Sequence, residues 1–289
     1  MRMKIALLGA EGTLARLLLE QAQAEGIRLV PVTLPDNADP QALAEWLEPW
    51  RGGALVDLRH ADWPALLGEP EVAALDEWQQ SCEGLIDTCA AQDCLLLWPS
   101  SARVFDGSKQ TLWSEKDLPQ PVGRLGALQA ALEQRLCNAG GRHLILRLSW
   151  LLDPSPQAQF GYLLAGLRSG QPLQLAEEWR GNPTPLADAA RVLLAMLKQS
   201  DCGADLSGIY HYGSSEASSW ISLAKVLAQE LLASGQIDVD PQILPVAFES
   251  QPQSAFEPRN AALSCKRITH VFGIKPRAWR TQLAELVKP

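Results

Sequence analysis

The 289-residue chain has a formal net charge of −8, and 47% of its residues are hydrophobic. That length fits one large domain, or a large domain with a smaller lobe, around a sizeable core. The acidic balance argues against a nucleic-acid partner. Because no apolar run approaches the ~20 residues of a membrane span and none resembles a signal peptide, we expect a cytoplasmic protein without membrane contact.

The cysteines and histidines do not form a pattern typical of metal ligands. No Cys-x-x-Cys pair occurs among the six cysteines, and the four histidines are scattered. Metal ligands come in closely spaced sets, so no metal site is predicted. We expect free, mostly buried thiols in a reducing compartment.

The first strand, turn and helix carry the strongest local signal. Residues 4–8 form an apolar run, residues 9–15 read Gly-Ala-Glu-Gly-Thr-Leu-Ala, and a helical pattern follows. Backbone N–H groups at such a helix start favour a phosphate. We therefore predict a dinucleotide-binding turn formed by Gly9, Gly12, Thr13 and Leu14, while a tight turn without a ligand remains the alternative.

Strand and helix patterns then alternate through the first half of the chain. Predicted strands cover residues 27–32, 54–58, 94–98 and 143–148, and predicted helices begin near residues 39, 70 and 124. Strands separated by helices of this length predict an α/β fold, a doubly wound parallel sheet with helices on both faces. A ligand is then expected at the carboxyl ends of the strands.

After Trp150 the strand and helix patterns no longer alternate regularly. Helical patterns at 160–167, 186–198 and 218–232 are mixed with short strands and a Gln/Ser/Pro-rich loop at 249–258. We predict a dinucleotide-binding domain over residues 1–152. A smaller substrate lobe over residues 153–289 would return in places to the main sheet.

Four stretches of the sequence carry a resemblance to a known family. They are the turn at 9–15, Trp-Pro-Ser-Ser-Ala-Arg-Val-Phe-Asp-Gly at 98–107, Arg-Leu-Ser-Trp-Leu-Leu at 147–152 and Gly-Asn-Pro-Thr at 181–184. Their order and spacing resemble the extended short-chain dehydrogenase/reductases of the dTDP-4-dehydrorhamnose reductase type. The resemblance implies a Rossmann fold, NAD or NADP as the cofactor and a nucleotide-sugar ligand. It also implies cofactor contacts by Ser100 and substrate contacts by Asn182, Thr184 and Arg259.

The catalytic pair that the resemblance implies is replaced in this sequence. In the family, a Tyr-x-x-x-Lys pair follows the fourth strand, and the tyrosine protonates the carbonyl as hydride arrives. Leu125 occupies the tyrosine position and Gln129 the lysine position, and neither side chain can do that chemistry. Only Ser101 remains of the catalytic trio.

Residues at other family positions are also replaced, and these replacements also disfavour the activity and ligand of the family. The third strand ends in bulky residues at 57–60, which could fill the groove, contact a phosphate through Arg59 or lie exposed. Arg103 stands where the family has tyrosine, and Glu257 where it has an arginine for the pyrophosphate. Trp179 replaces a glutamine. Arg259 could replace the missing arginine if the loop bends differently.

The cofactor and the function remain open at the level of sequence. An acid for a ribose hydroxyl is expected about 20 residues after the turn, where residues 32–34 offer none and Asp36 comes late. The first hypothesis is a catalytically impaired protein that binds a nucleotide or a protein partner and acts by regulation. The alternative is an active reductase or epimerase of a nucleotide sugar, with Lys109, Asp106 or His60 as a relocated acid.

Overall fold

A computed structural model describes residues 3–35, 39–202 and 205–288 of the chain. The strands are β1 Ile5–Leu8, β2 Leu29–Pro31, β3 Ala54–Asp57, β4 Leu95–Ser101, β5 His143–Leu148, β6 Leu151–Leu152, β7 Leu173–Ala176, β8 Arg180–Gly181, β9 Thr184–Pro185, β10 Gly208–Tyr212, β11 Ser218–Ser219 and β12 Ile243–Val246. The α-helices are α1 Thr13–Ala24, α2 Pro40–Leu47, α3 Val72–Ala91, α4 Arg124–Asn138, α5 Gln159–Ser169, α6 Leu186–Ser200, α7 Trp220–Ala233, α8 Lys266–Phe272 and α9 Leu283–Leu286.

Six parallel strands form the main sheet in the order β2-β1-β3-β4-β5-β10. Apolar residues of α1 and α6 pack on one face of this sheet, and those of α3 and α4 pack on the other. The doubly wound parallel sheet predicted from the alternating pattern is therefore confirmed. The strand order reverses between β1 and β3, so a crevice for ligands is expected above the carboxyl ends of these two strands.

The turn after β1 owes its shape to glycine. Gly9 has φ +74°, and a Cβ atom built on it would lie 2.5 Å from the backbone nitrogen of Arg59. An L side chain at this position would be strained by the backbone angle and would collide with the segment after β3. The turn and the end of β3 are thus packed backbone against backbone.

Two predicted strand boundaries were wrong. The fourth strand runs to Ser101 and not to Trp98, because β5 continues to pair with it up to the register Ser101–Leu148. The second strand is limited to Leu29–Pro31 and does not cover residues 27–32. The extension of β4 matters because it places Ser100 and Ser101 on the sheet and not in a loop.

The second half contributes both to the main sheet and to a separate core. Strand β10 lies at the edge of the main sheet beside β5, whereas β7 and β12 form a small parallel pair of their own. Helices α5 and α7 pack there around Phe160, Trp179 and Trp220. None of the described helices is long and apolar enough to cross a membrane.

The cysteine prediction holds only in part. Cys82, Cys89 and Cys94 are buried free thiols, as expected. Cys137, near the end of α4, and Cys202, which follows α6, are exposed, and Cys265 is half-buried.

Candidate functional site

The turn predicted to bind a phosphate leads into a helix whose start is uncapped. Gly12 is the N-cap of α1, and no side chain caps the free N–H groups of the first helical turn. A Cβ atom on Gly12 would contact only the carbonyl oxygen of Gly9, at 3.6 Å, so the space above the turn is open. Thr13 begins α1, and Leu14 is buried in the core beneath it. Asp36 lies outside the described residues.

The bulky side chains at the end of β3 form their contacts with other residues of the protein. The Arg59 guanidinium donates to Asp57, with Nε–Oδ1 at 2.9 Å and Nη2–Oδ2 at 2.6 Å, and to Oγ of Ser81 in α3 at 3.0 Å. His60 stacks on Trp63 with ring centroids 3.9 Å apart. Burial lowers the pKa of His60 to about 4, so its ring is neutral at pH 7. Arg59 thus has its counter-charge in Asp57, the last residue of β3.

Ser101, the one predicted catalytic residue that the sequence retains, is bonded to Gln129 at the predicted lysine position. Ser101 donates its hydroxyl hydrogen to Oε1 of Gln129 at 2.5 Å, and both side chains are buried. Leu125 has no exposed surface and packs in the core between α4 and the sheet. The segment predicted to carry the catalytic pair therefore meets Ser101 in space, but it presents an amide and an alkyl group there.

Arg103 and Glu257, which both depart from the family pattern, form a buried ion pair. Their side chains are 3% and 5% exposed. Glu257 also accepts a hydrogen bond from Nε2 of Gln159 at 3.0 Å, and Arg103 donates to the carbonyl oxygen of Leu66 at 3.2 Å. The Nε and Nη1 atoms of Arg103 are buried without a described partner. A carboxylate and a guanidinium thus neutralise each other beside Ser101.

The two cavities on this side of the molecule differ greatly in size. The cavity that touches Ser101, Arg103, Trp150 and Glu257 has a volume of about 20 Å³, which is little more than one water molecule. A second cavity of about 410 Å³ lies beyond it, and Gln159 is part of its wall. Because Gln159 donates to Glu257, a hydrogen bond links the wall of the larger cavity to the ion pair that lines the smaller one.

The predicted substrate residues lie in different environments. Asn182 and Thr184 are buried: the Asn182 amide donates to the carbonyl oxygen of Ser214 at 2.8 Å, and the Thr184 hydroxyl donates to the carbonyl oxygen of Asn182 at 2.9 Å. Arg259 lies on the surface, where it pairs with Glu249. Ser100 is 2% exposed, and its hydroxyl has no described partner.

A second buried network supports the site from the edge of the sheet. Arg147 in β5 donates to Glu133 of α4, with Nε–Oε1 at 3.0 Å, and lies 3.2 Å from Nε2 of His211 in β10. Since arginine only donates, Nε2 accepts, and Nδ1 of His211 donates to the carbonyl oxygen of Trp113 at 3.2 Å. Burial, assisted by the Arg147 charge, lowers the pKa of His211 to about 3.

This network predicts a loss of stability in mild acid. The pKa of His211 is lower in the folded state than the ~6.5 of an unfolded chain, so unfolding takes up a proton as the pH falls below 6.5. We expect the free energy of unfolding to fall by up to about 1.4 kcal/mol per pH unit between pH 6 and 4. His60, with a pKa of about 4, acts in the same direction. Denaturant titrations across this range measure the slope.

The control for this prediction is a histidine outside the network. His211→Gln should reduce the slope of stability against pH and leave the contribution of His60, whereas His270→Gln, which changes an exposed side chain, should leave the slope unaltered. An equal slope in both variants and the wild type would contradict the role of His211.

The doubly wound sheet and the glycine turn at its switch point define a Rossmann-type α/β protein of the extended short-chain dehydrogenase/reductase kind. A profile of the family described as RmlD substrate binding domain matches residues 3–289. The chain therefore belongs to that family over its whole described length, as the four sequence stretches indicated.

Similar proteins with curated names point to the same family. The dTDP-4-dehydrorhamnose reductase of Burkholderia thailandensis is 26% identical over 290 residues, covering 96% of each chain. The Escherichia coli protein of the same name is 23% identical over 258 residues, covering 87% of this chain and 84% of its own length.

Solved structures share the fold. The dTDP-4-dehydrorhamnose reductase of Clostridium acetobutylicum superposes with a TM-score of 0.80 at 19% identity, covering 99% of this chain and 98% of its own. The Bacillus anthracis enzyme of that name, solved in complex with NADP, gives a TM-score of 0.79 at 18% identity and covers 99% of each chain. A UDP-N-acetylglucosamine 4-epimerase from Bacillus cereus gives a TM-score of 0.77 at 17% identity and covers 99% of this chain and 98% of its own.

Proposed function

We propose that this chain is a cytoplasmic member of its family that binds a dinucleotide but does not reduce a nucleotide sugar at an ordinary rate, and that it acts through binding or through a protein partner. The observation that carries the proposal is the pair formed by Ser101 and Gln129 beside the buried Leu125. A carbonyl that receives hydride also needs a proton. Neither the tyrosine position nor the lysine position can supply one.

The two halves of the implied cofactor site fit a dinucleotide unequally. The uncapped helix start at Gly12 and the open space above it suit the phosphates of NAD or NADP, the cofactors with which similar structures were solved. The catalytic end fits poorly, because the cavity at Ser101 holds only about 20 Å³.

The sequence alternatives for a relocated acid lie elsewhere. The Lys109 ammonium pairs with Asp117 at 2.7 Å, Asp106 accepts from Ser108 in its own loop at 3.0 Å, and His60 is stacked on Trp63. None of the three lines the cavity at Ser101.

Two measurements test the proposal. Absorbance at 340 nm with NADPH and dTDP-4-dehydrorhamnose should show turnover roughly 10²–10⁴-fold slower than that of the Escherichia coli relative assayed alongside, as expected for loss of the proton donor. Millimolar NADH or NADPH should raise the melting temperature, because a ligand that binds only the folded state stabilises it. Turnover at the rate of the relative would contradict the proposal.

An active reductase remains the second candidate, and one observation favours it. Glu257 lines the cavity at Ser101, and burial raises the pKa of its carboxyl group against the opposing effect of Arg103. A protonated Glu257 would offer the missing proton at this cavity, but it would give up its ion pair with Arg103. If turnover is found, Glu257→Gln should abolish it under this second reading, and retained turnover would exclude Glu257 as the acid.

A further inference from the structure

A cavity of about 360 Å³ lies between α1, the start of α6 and the segment at 277–282. None of the described residues in its wall also lines the cavity at Ser101 or the 410 Å³ cavity. Gln21, its wall residue in α1, comes nine residues after Gly12, which is about 14 Å further along the helix. The cavity is therefore separate from the glycine turn and from the candidate catalytic residues.

Two arginines share one carboxylate in this cavity. Asp188, whose side chain is 1% exposed, accepts a hydrogen bond from Nε of Arg191 at 2.7 Å and another from the hydroxyl group of Tyr212. The Nε atom of Arg277 lies 4.0 Å from the same oxygen of Asp188, which is beyond hydrogen-bond length. Asp188 is the only carboxylate within ion-pair distance of Arg277 in the described part of the chain.

The charges of this group do not cancel. Burial and the hydrogen bond to Asp188 raise the pKa of the Tyr212 phenol, so Tyr212 is neutral at pH 7 and adds no negative charge. Two guanidinium groups against one carboxylate leave one positive charge. The remaining residues of the wall are uncharged: Gln21, Ala187, Thr281 and Gln282. A surplus positive charge in a concave site of a chain with a net charge of −8 favours an anionic ligand.

Both arginines are attached to fixed parts of the fold. Arg191 is held by Asp188, and its Nη2 atom also donates to the Tyr212 oxygen at 3.0 Å. The carbonyl oxygen of Arg277 accepts from the backbone N–H of Ser215 at 3.0 Å, while the Arg277 side chain is 59% exposed. A guanidinium group binds an oxyanion with parallel N–H bonds, and its prior fixation reduces the entropy lost on binding.

We propose that this cavity binds a small organic anion, whose phosphate or carboxylate group pairs with Arg277 and Arg191. Such an oxyanion would supply the counter-charge that Asp188 alone does not. The volume falls within the range of small-molecule pockets, and the amide and hydroxyl groups of the wall suit a hydroxylated ligand. This goes beyond the proposed function, since it rests on a cavity separate from the glycine turn and does not depend on turnover.

Ribose 5-phosphate and ribose form a matched pair of probes, because they differ only in the phosphate group. Isothermal titration of the full chain at low salt should give a dissociation constant for ribose 5-phosphate at least about tenfold lower than that for ribose. Ribonate tests a carboxylate in place of the phosphate, and the tighter of the two anions identifies the preferred head group. Absence of saturable binding of either anion at millimolar concentration, or equal affinity for ribose, would overturn the proposal without bearing on the turnover assay.

Variants of the wall locate the binding. Arg277→Gln should weaken binding of the anion about tenfold, whereas Arg280→Gln, which changes an exposed arginine outside the wall that is paired with Glu216, should not. Gln282→Lys should tighten binding and Gln282→Glu should weaken it about tenfold, because they add charges of opposite sign to the wall. Wild-type affinity in Arg277→Gln, or equal affinity in the two Gln282 variants, would place the anion elsewhere and refute the assignment.

Discussion

Glu257→Gln should lower the free energy of unfolding by about 3–5 kcal/mol, because it leaves the Arg103 guanidinium buried without its counter-charge. Arg103→Met should cost a similar amount by leaving Glu257 unpaired. Because both side chains are buried, removal of one partner should cost far more stability than the loss of a surface ion pair. Urea or guanidinium titrations of the two variants measure the effect.

The double variant Arg103→Met/Glu257→Gln should be more stable than the sum of the two single losses predicts. Two nitrogen atoms of Arg103 have no described partner, so burying this side chain carries a desolvation cost. Removing the whole pair loses the attraction between the two charges but also removes that cost. The exposed pair of Arg280 and Glu216, 2.9 Å apart, is the control, and its double-mutant cycle should show a coupling below about 1 kcal/mol. Additive effects at Arg103 and Glu257 would mean that water reaches the pair.

The ion pair also marks a limit of sequence-based prediction. The sequence identifies Arg103 and Glu257 as two separate departures from the family pattern, one after the fourth strand and one near the end of the chain. Their contact depends on the long loop that returns to the main sheet, and no local pattern encodes that return. The available signal was the opposite charge that the two substitutions introduce.

Features set by local periodicity were predicted more completely. The apolar run before Gly9, the glycine turn and the helix from Thr13 follow from residue spacing alone, and so does the alternation that gives the parallel sheet. The loss of the catalytic pair at Leu125 and Gln129 required only correct alignment of α4 with the family motif. The end of β4 at Ser101 was missed because its pairing with β5 is a tertiary interaction.

The partner that each polar side chain binds was the hardest feature to predict from the sequence. Arg59 looked available to a phosphate, but Asp57 two residues earlier lies within reach of its guanidinium. Arg259 could replace a family arginine only if the loop bends differently, and the structure pairs it with Glu249. In both cases the competing carboxylate is visible in the sequence, but its geometry is not.

Restoring the family dyad alone should not restore reduction. Leu125→Tyr/Gln129→Lys supplies a phenol and an ammonium group, but Arg103 and Glu257 still line the cavity at Ser101, which holds only about 20 Å³. We therefore expect turnover of dTDP-4-dehydrorhamnose with NADPH to remain at the wild-type level. Adding Arg103→Tyr and Glu257→Arg, the residues that the family has at these positions, should raise turnover by at least about 10²-fold.

The comparison of the two variants separates a missing acid from a blocked groove. Tyrosine at position 125 enlarges a side chain that has no exposed surface, so each variant must first show a cooperative melting transition, and overpacking is expected to cost about 1–3 kcal/mol. Activity in the Leu125→Tyr/Gln129→Lys variant alone would show that the ion pair does not obstruct the substrate, and would leave the lost proton donor as the sole cause. Inactivity of a folded fourfold variant would instead assign the loss to residues beyond these four, with the segment of Arg59 and His60 after β3 as the next to exchange.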